Sequence, residues 1–116
     1  MNLEDTGMPP KVTVNNLRNH FKTVYRLADD QIDIMLESSA KSLNTSLSAL
    51  YDAIGEGASL EEVSRLGHSI KGLLLNMGEQ GWAELARELE LSASGGADVD
   101  YKGLIDGIHK GVEDIL

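Results

Sequence analysis

Apolar residues recur along this chain at steps of three and four, with polar residues between them. That period belongs to helices that bury one face. Val14, Leu17, Phe21, Val24 and Tyr25 predict a short first helix over 13–27. Ile32, Leu36, Leu43, Leu47, Leu50 and Ile54 form one stripe at near-heptad spacing and predict a long helix over 30–54, with Asp29 or Asp30 as its cap. Gly55-Glu56-Gly57 ends it. Ser59 with Glu62 three residues on reads as a capping box. Leu60, Val63, Gly67, Ile70, Leu74 and Met77 then predict a helix over 60–77, with Gly78 as its C-terminal cap. A helix over 79–91 buries Trp82, Leu85, Ala86 and Leu89. Ser92 to Ala97 reads as a loop, and a last helix over 98–116, capped by Asp98 or Asp100, buries Leu104, Ile105, Ile108, Val112 and Ile115. Residues 1–12 carry no period and read as a flexible lead-in to a single domain over 13–116. Short connections make successive helices antiparallel neighbours, so the expected fold is all-α: an up-down four-helix bundle with a short additional N-terminal helix.

Composition narrows the classes. The chain has 116 residues, enough for one domain with its own core. It has no cysteine, which excludes disulfides and thiolate metal sites. Nineteen acids against ten bases give a net charge of −9, which repels nucleic-acid phosphate and anionic lipid. The longest aliphatic run, Leu73-Leu74-Leu75, is too short for a membrane span or a signal peptide. The expectation is a cytoplasmic protein with no nucleic-acid or membrane partner.

One stretch does not fit plain core packing: His68-Ser69-Ile70-Lys71-Gly72. On a helix His68 lies about 100° round from the apolar stripe. Its one-turn neighbours are Ser64, Arg65, Lys71 and Gly72, with Leu75 and Asn76 a turn beyond. Gly72 in mid-helix costs about 1 kcal/mol relative to alanine, and close approach by a partner is a physical reason to keep it. A neutral imidazole is a competent nucleophile near pH 7. Attack on a phosphoryl donor leaves a phosphorus–nitrogen bond and a compact anion, part of whose charge Lys71 can neutralise. No phosphate-binding glycine loop is present, so a partner must bring the donor or acceptor. No cofactor and no metal site are expected, and the chain is expected to be a phosphocarrier rather than an enzyme with turnover of its own. Position nominates one more residue. His68 lies ten residues before Gly78 and Glu90 twelve after it, so a turn at Gly78 brings them to similar height. A carboxylate accepting from one ring nitrogen sets the tautomer and leaves the other as nucleophile. Which way Glu90 faces is left open by position alone.

The segment His68-Ser69-Ile70-Lys71-Gly72, with Gly78 following, resembles the signature of histidine phosphotransfer (HPt) domains, and the helix pattern from about Asp30 to Leu116 resembles their bundle. The resemblance implies that His68 is phosphorylated, that Lys71 assists and that Gly72 makes room for a receiver domain. It implies that Glu90, at a position commonly Gln or Glu, hydrogen-bonds the ring. The implied partners are a response-regulator receiver domain and a histidine kinase, the latter a separate chain or a missing portion. Ser64, Arg65, Leu75 and Asn76 join Gly72 as expected docking residues. Leu75 departs from the family, which often has a small residue there. A bundle of the same fold that docks receivers or kinases without carrying phosphate is the alternative. His20 and His109 lack ligand partners and read as structural. Gly103, Gly107 and Gly111 read as a close-packing face on the last helix.

Overall fold

The computed structural model describes residues 8–116. Among them are five α-helices and no strand: α1 Val14–Thr23, α2 Asp29–Gly55, α3 Leu60–Asn76, α4 Gln80–Ser94 and α5 Tyr101–Val112, followed by a 3-10 turn, Glu113–Ile115. The chain is therefore all-α. α2 packs on α3, α3 on α4, α4 on α5 and α5 back on α2, while α1 leans on α2. The core between them is aliphatic: Ile32, Leu43, Leu47, Leu50, Val63, Ile70, Leu74, Leu89, Ile105 and Ile108 are all buried. Each such side chain contributes about 1.5–3 kcal/mol when withdrawn from water. No helix of the described residues is long and apolar enough to cross a membrane.

Several elements differ from the periodicity reading. α1 stops at Thr23, four residues short of the expected end. The Thr23 hydroxyl donates to the Asn19 carbonyl at 2.8 Å, and Arg26 takes a left-handed φ of 56° that turns the chain. Leu27 tucks against the core, whereas Val24 and Tyr25, expected on the buried face, stand outside it. α2 begins at Asp29, before either aspartate could cap it. Ala28 holds the N-cap position, and its amide donates to Gln31 Oε1 at 2.9 Å. Asp29 and Asp30 lie inside the first turn, where they complement the helix dipole. At α3 half of the expected capping box forms. Ser59 Oγ accepts from the Glu62 amide at 3.3 Å, but the Glu62 carboxylate turns to Arg65. α4 runs on through Ser94, because Ala93 is buried and its packing overrides the loop-like composition.

The turn between α3 and α4 positions the site. Gly78 has φ 76°, its amide donates to Leu75 O at 3.0 Å, and the Glu79 amide donates to Leu74 O at 2.9 Å. This is a Schellman ending, which wants a residue without Cβ. Gly57 and Gly96 end α2 and α4 in the same way. Gly78 has a second constraint, since a Cβ there would fall 2.4 Å from Nδ1 of His20. His20 thus serves as a lid of α1 over the α3–α4 turn, half-buried beside Phe21 and Tyr25.

Of the expected lead-in, residues 1–7 lie outside the described part, and residues 8–12 are docked against α4 and α5. Val12 is fully buried and its amide donates to Gly111 O at 2.8 Å. Trp82 Nε1 donates to Pro10 O at 2.8 Å, and Lys11 pairs with Glu113 at 3.0 Å. Such contacts are non-local and leave no local period to read. The glycine face of α5 is close-packed at Gly111, where a Cβ would overlap the Trp82 ring.

Candidate functional site

His68 stands on the outer face of α3 with 67% of its side chain exposed. Its Nδ1 lies 2.8 Å from Oε2 of Glu90 on α4. The other carboxylate oxygen of Glu90, Oε1, lies 2.9 Å from Nζ of Lys71. Glu90 is well covered, at 17% side-chain exposure, and Lys71 is at 23%. One carboxylate therefore joins two residues one turn apart on the neighbouring helix. Lys71 holds the Glu90 carboxyl below the ordinary carboxylate range, against burial, and His68 adds to the effect. An ionised carboxylate accepts only, so Nδ1 is the nitrogen that carries the proton. In the neutral ring Nε2 then holds the lone pair, and among the described residues it has no hydrogen-bond partner.

The facing that position left open is thus settled by packing: Glu90 meets His68. The resting position of Lys71 is a refinement, because its ammonium sits on Glu90 and reaches the ring through that carboxylate. A Cβ built at Gly72 meets nothing within 4 Å. Among the described residues no contact requires this glycine, so packing there does not repay its cost to α3.

The remaining expected docking residues divide. Arg65 is exposed, one turn before His68, but its Nε donates to Glu62 at 3.0 Å. Ser64 is drawn inward, and its Oγ donates to the Glu90 carbonyl at 3.1 Å. Leu75 is 50% exposed. Asn76 is exposed, and its carbonyl accepts from the Tyr25 hydroxyl at 3.2 Å. Tyr25 was not singled out as a site residue, and neither was Gly67 beyond its place in the apolar stripe. Tyr25 and Asn76 line a cleft with Leu27 and Met35, two turns along α3 from His68. A wider cleft of about 630 Å³ between α4 and α5, lined by Leu91, Val99 and Leu104, lies elsewhere.

His20 and His109 take up structural positions. His20 covers Gly78, and His109 meets the Tyr51 ring edge-on at 5.9 Å. Among the described residues no three His, Cys, Asp or Glu side chains gather as a metal-binding group. Compared with protein families, characterised proteins and solved structures, the chain finds no match.

Proposed function

We propose that this chain is a histidine phosphotransfer protein of a two-component phosphorelay, in which His68 passes a phosphoryl group to or from a receiver-domain aspartate, or takes it from a histidine kinase. The observation that carries this reading is the His68 ring itself. It is exposed, bound through Nδ1 to a half-buried, lysine-supported carboxylate, and open at Nε2. The reading also takes the four longer helices as an antiparallel up-down bundle. Their short connections and their closed circuit of contacts support that arrangement.

The chemistry follows from the ring. The Nε2 lone pair attacks the phosphorus of an aspartyl phosphate, an N–P bond forms, and the acyl O–P bond breaks with its electron pair leaving on the partner's carboxylate. Nδ1 keeps its proton, so the phosphorylated ring is cationic, and Glu90 lies against that charge. Lys71 is one turn away and can swing from Glu90 toward the phosphoryl oxygens. The reverse transfer uses the same atoms in the opposite order. The chain carries the group and completes no turnover of its own. Receivers and kinases of this type act in the cytoplasm, which is where the reading places it.

Gly72 and Leu75, one and two turns along α3 from the ring, and the cleft of Met35, Leu27 and Tyr25 beyond them supply a partly apolar surface for the incoming partner. The same surface favours a second reading, a module that docks receivers or kinases without carrying phosphate. Two substitutions separate them. With a phosphorylated receiver or cognate kinase as donor, His68→Gln is expected to lose all label, and uptake equal to the wild type would reject the relay. A bulky side chain at Gly72, as in Gly72→Gln, is expected to weaken partner binding at least tenfold in both readings. The docking reading alone lets His68→Ala keep full signalling.

A further inference from the structure

α3 and α4 come into close contact where Gly67 faces Leu89 and Glu90. A Cβ on Gly67 would stand 2.7 Å from Leu89 Cδ2, 3.3 Å from the Glu90 amide nitrogen and 3.4 Å from the Glu90 Cα. Leu89 is fully buried, and the other two atoms are backbone, which a side-chain rotation cannot move. A glycine inside a helix weakens it, so a position that requires one has a geometric reason. Here the reason is the spacing of two helix backbones at the residue preceding His68. One turn earlier on the same side, Ser64 Oγ donates to the Glu90 carbonyl at 3.1 Å in a part-buried bond. The two contacts hold the main chain of Glu90 at its amide end and at its carbonyl end. The carboxylate that hangs between them reaches His68 Nδ1 at 2.8 Å and Lys71 Nζ at 2.9 Å.

We propose that Gly67 and Ser64 are positioning residues for phosphoryl transfer at His68: they set the height and rotation of Glu90, so that its carboxylate holds the proton on Nδ1 and leaves Nε2 as the nucleophile. This rests on the relay reading of His68. Neither residue touches the phosphoryl group, and both act through Glu90. A methyl group at Gly67 pushes the Glu90 backbone outward by a few tenths of an ångström and displaces Leu89. The Lys71 ammonium can follow the carboxylate on its flexible stem, whereas the rigid imidazole cannot, so the Nδ1 contact loses its alignment first. Without it, nothing in the site selects the Nδ1–H tautomer. Removing the Ser64 hydroxyl leaves the Glu90 carbonyl unpaired on its covered side and lets the carboxylate turn.

The test measures the tautomer and the transfer separately. Ring nitrogen chemical shifts of His68, taken on the whole chain where the imidazole is neutral, report which nitrogen bears hydrogen. The wild type is expected to show the proton on Nδ1. Gly67→Ala is expected to move it toward Nε2 and to slow phosphoryl uptake from a phosphorylated receiver about 10- to 100-fold, with helix content unchanged. Ser64→Ala should give a milder version of both effects, and Ser64→Thr, which keeps a hydroxyl, should restore them. If Gly67→Ala does not fold, the two Ser64 variants decide the matter. Folded variants that keep the proton on Nδ1 overturn the proposal, and so do variants that slow transfer with no change of tautomer. Failure of the relay reading shows elsewhere, as label entering His68→Gln, and no Gly67 or Ser64 variant reports that result.

Discussion

At His68 a single carboxylate governs the chemistry of two neighbours. Glu90 accepts from the ring and pairs with Lys71, and its own ionisation depends mainly on Lys71. A carboxyl lowered from 4.5 in the folded chain stabilises the fold at pH above that value. The contribution is lost as pH falls through the lower folded-state value. Glu90→Gln is therefore expected to lose that contribution at pH 7 and to flatten the acid limb of stability below pH 4.5, so that variant and wild type converge in acid, measured by thermal unfolding across pH. The same variant keeps an acceptor oxygen for the ring but loses the charge. Under the proposed relay it is expected to retain phosphoryl uptake at a rate reduced by about 10- to 100-fold, the scale on which a carboxylate that orients a functional histidine contributes. An unchanged rate in Glu90→Gln would show that the charge has no part in the transfer.

At the scale of the element, the turn after α3 carries two demands that separate cleanly. Gly57 and Gly78 both take positive φ, 68° and 76°. A non-glycine residue in that region costs about 1–2 kcal/mol. Around Gly57 a Cβ meets nothing within 4 Å, whereas at Gly78 it meets the His20 ring. Gly57→Ala is thus expected to cost about 1–2 kcal/mol, and Gly78→Ala about 1 kcal/mol or more beyond that, as overpacking does. Denaturant midpoints of the two variants measure the difference, and equal losses would mean that His20 swings aside without cost. The consequence reaches the site, because the turn at Gly78 sets where α4 starts and so how high Glu90 stands. The period-3.6 pattern located each of these helices. It missed the early end of α1 and the extra turn of α4, where Thr23 and Ala93 answer to a hydroxyl–backbone bond and to burial rather than to period.

For the molecule as a whole, closure depends on contacts between parts far apart in the chain. The Tyr51 hydroxyl on α2 donates to Asp106 Oδ1 on α5 at 2.5 Å, and Lys102 supports the same carboxylate at 2.9 Å. Burial first, and Asp106 second, push the Tyr51 phenol from 10.0 up to about 12. The neutral phenol is the bound form, so its contribution is complete below pH 10 and is lost as pH rises toward 12. Tyr51→Phe is expected to cost about 1 kcal/mol at neutral pH and to remove that alkaline dependence, as seen in unfolding at pH 9 against pH 11.5. A Phe variant with the same alkaline loss as the wild type would place the dependence on another group. The segment leading into α1 acts at this scale too, since Val12 and Pro10 tie it to Gly111 and Trp82.

What the sequence determined by itself is the set of local and spacing-dependent features. These are five helices from the recurrence of apolar residues, glycine endings at Gly57 and Gly78, and a histidine off the apolar stripe with Lys71 and Gly72 at one-turn offsets. Such features follow from the geometry of a single helix, which residue spacing specifies. Only the tertiary structure decided which side chains meet across two helices. It turned Glu90 onto His68, drew Lys71 onto Glu90, moved Ser64 from the expected docking face to a backbone carbonyl, and docked residues 8–12. Each of these depends on how far apart two helix axes lie and how each helix is rotated about its own. At the site those quantities come from Gly67 against Leu89 and Glu90, a packing contact between residues more than twenty positions apart. No local period records it.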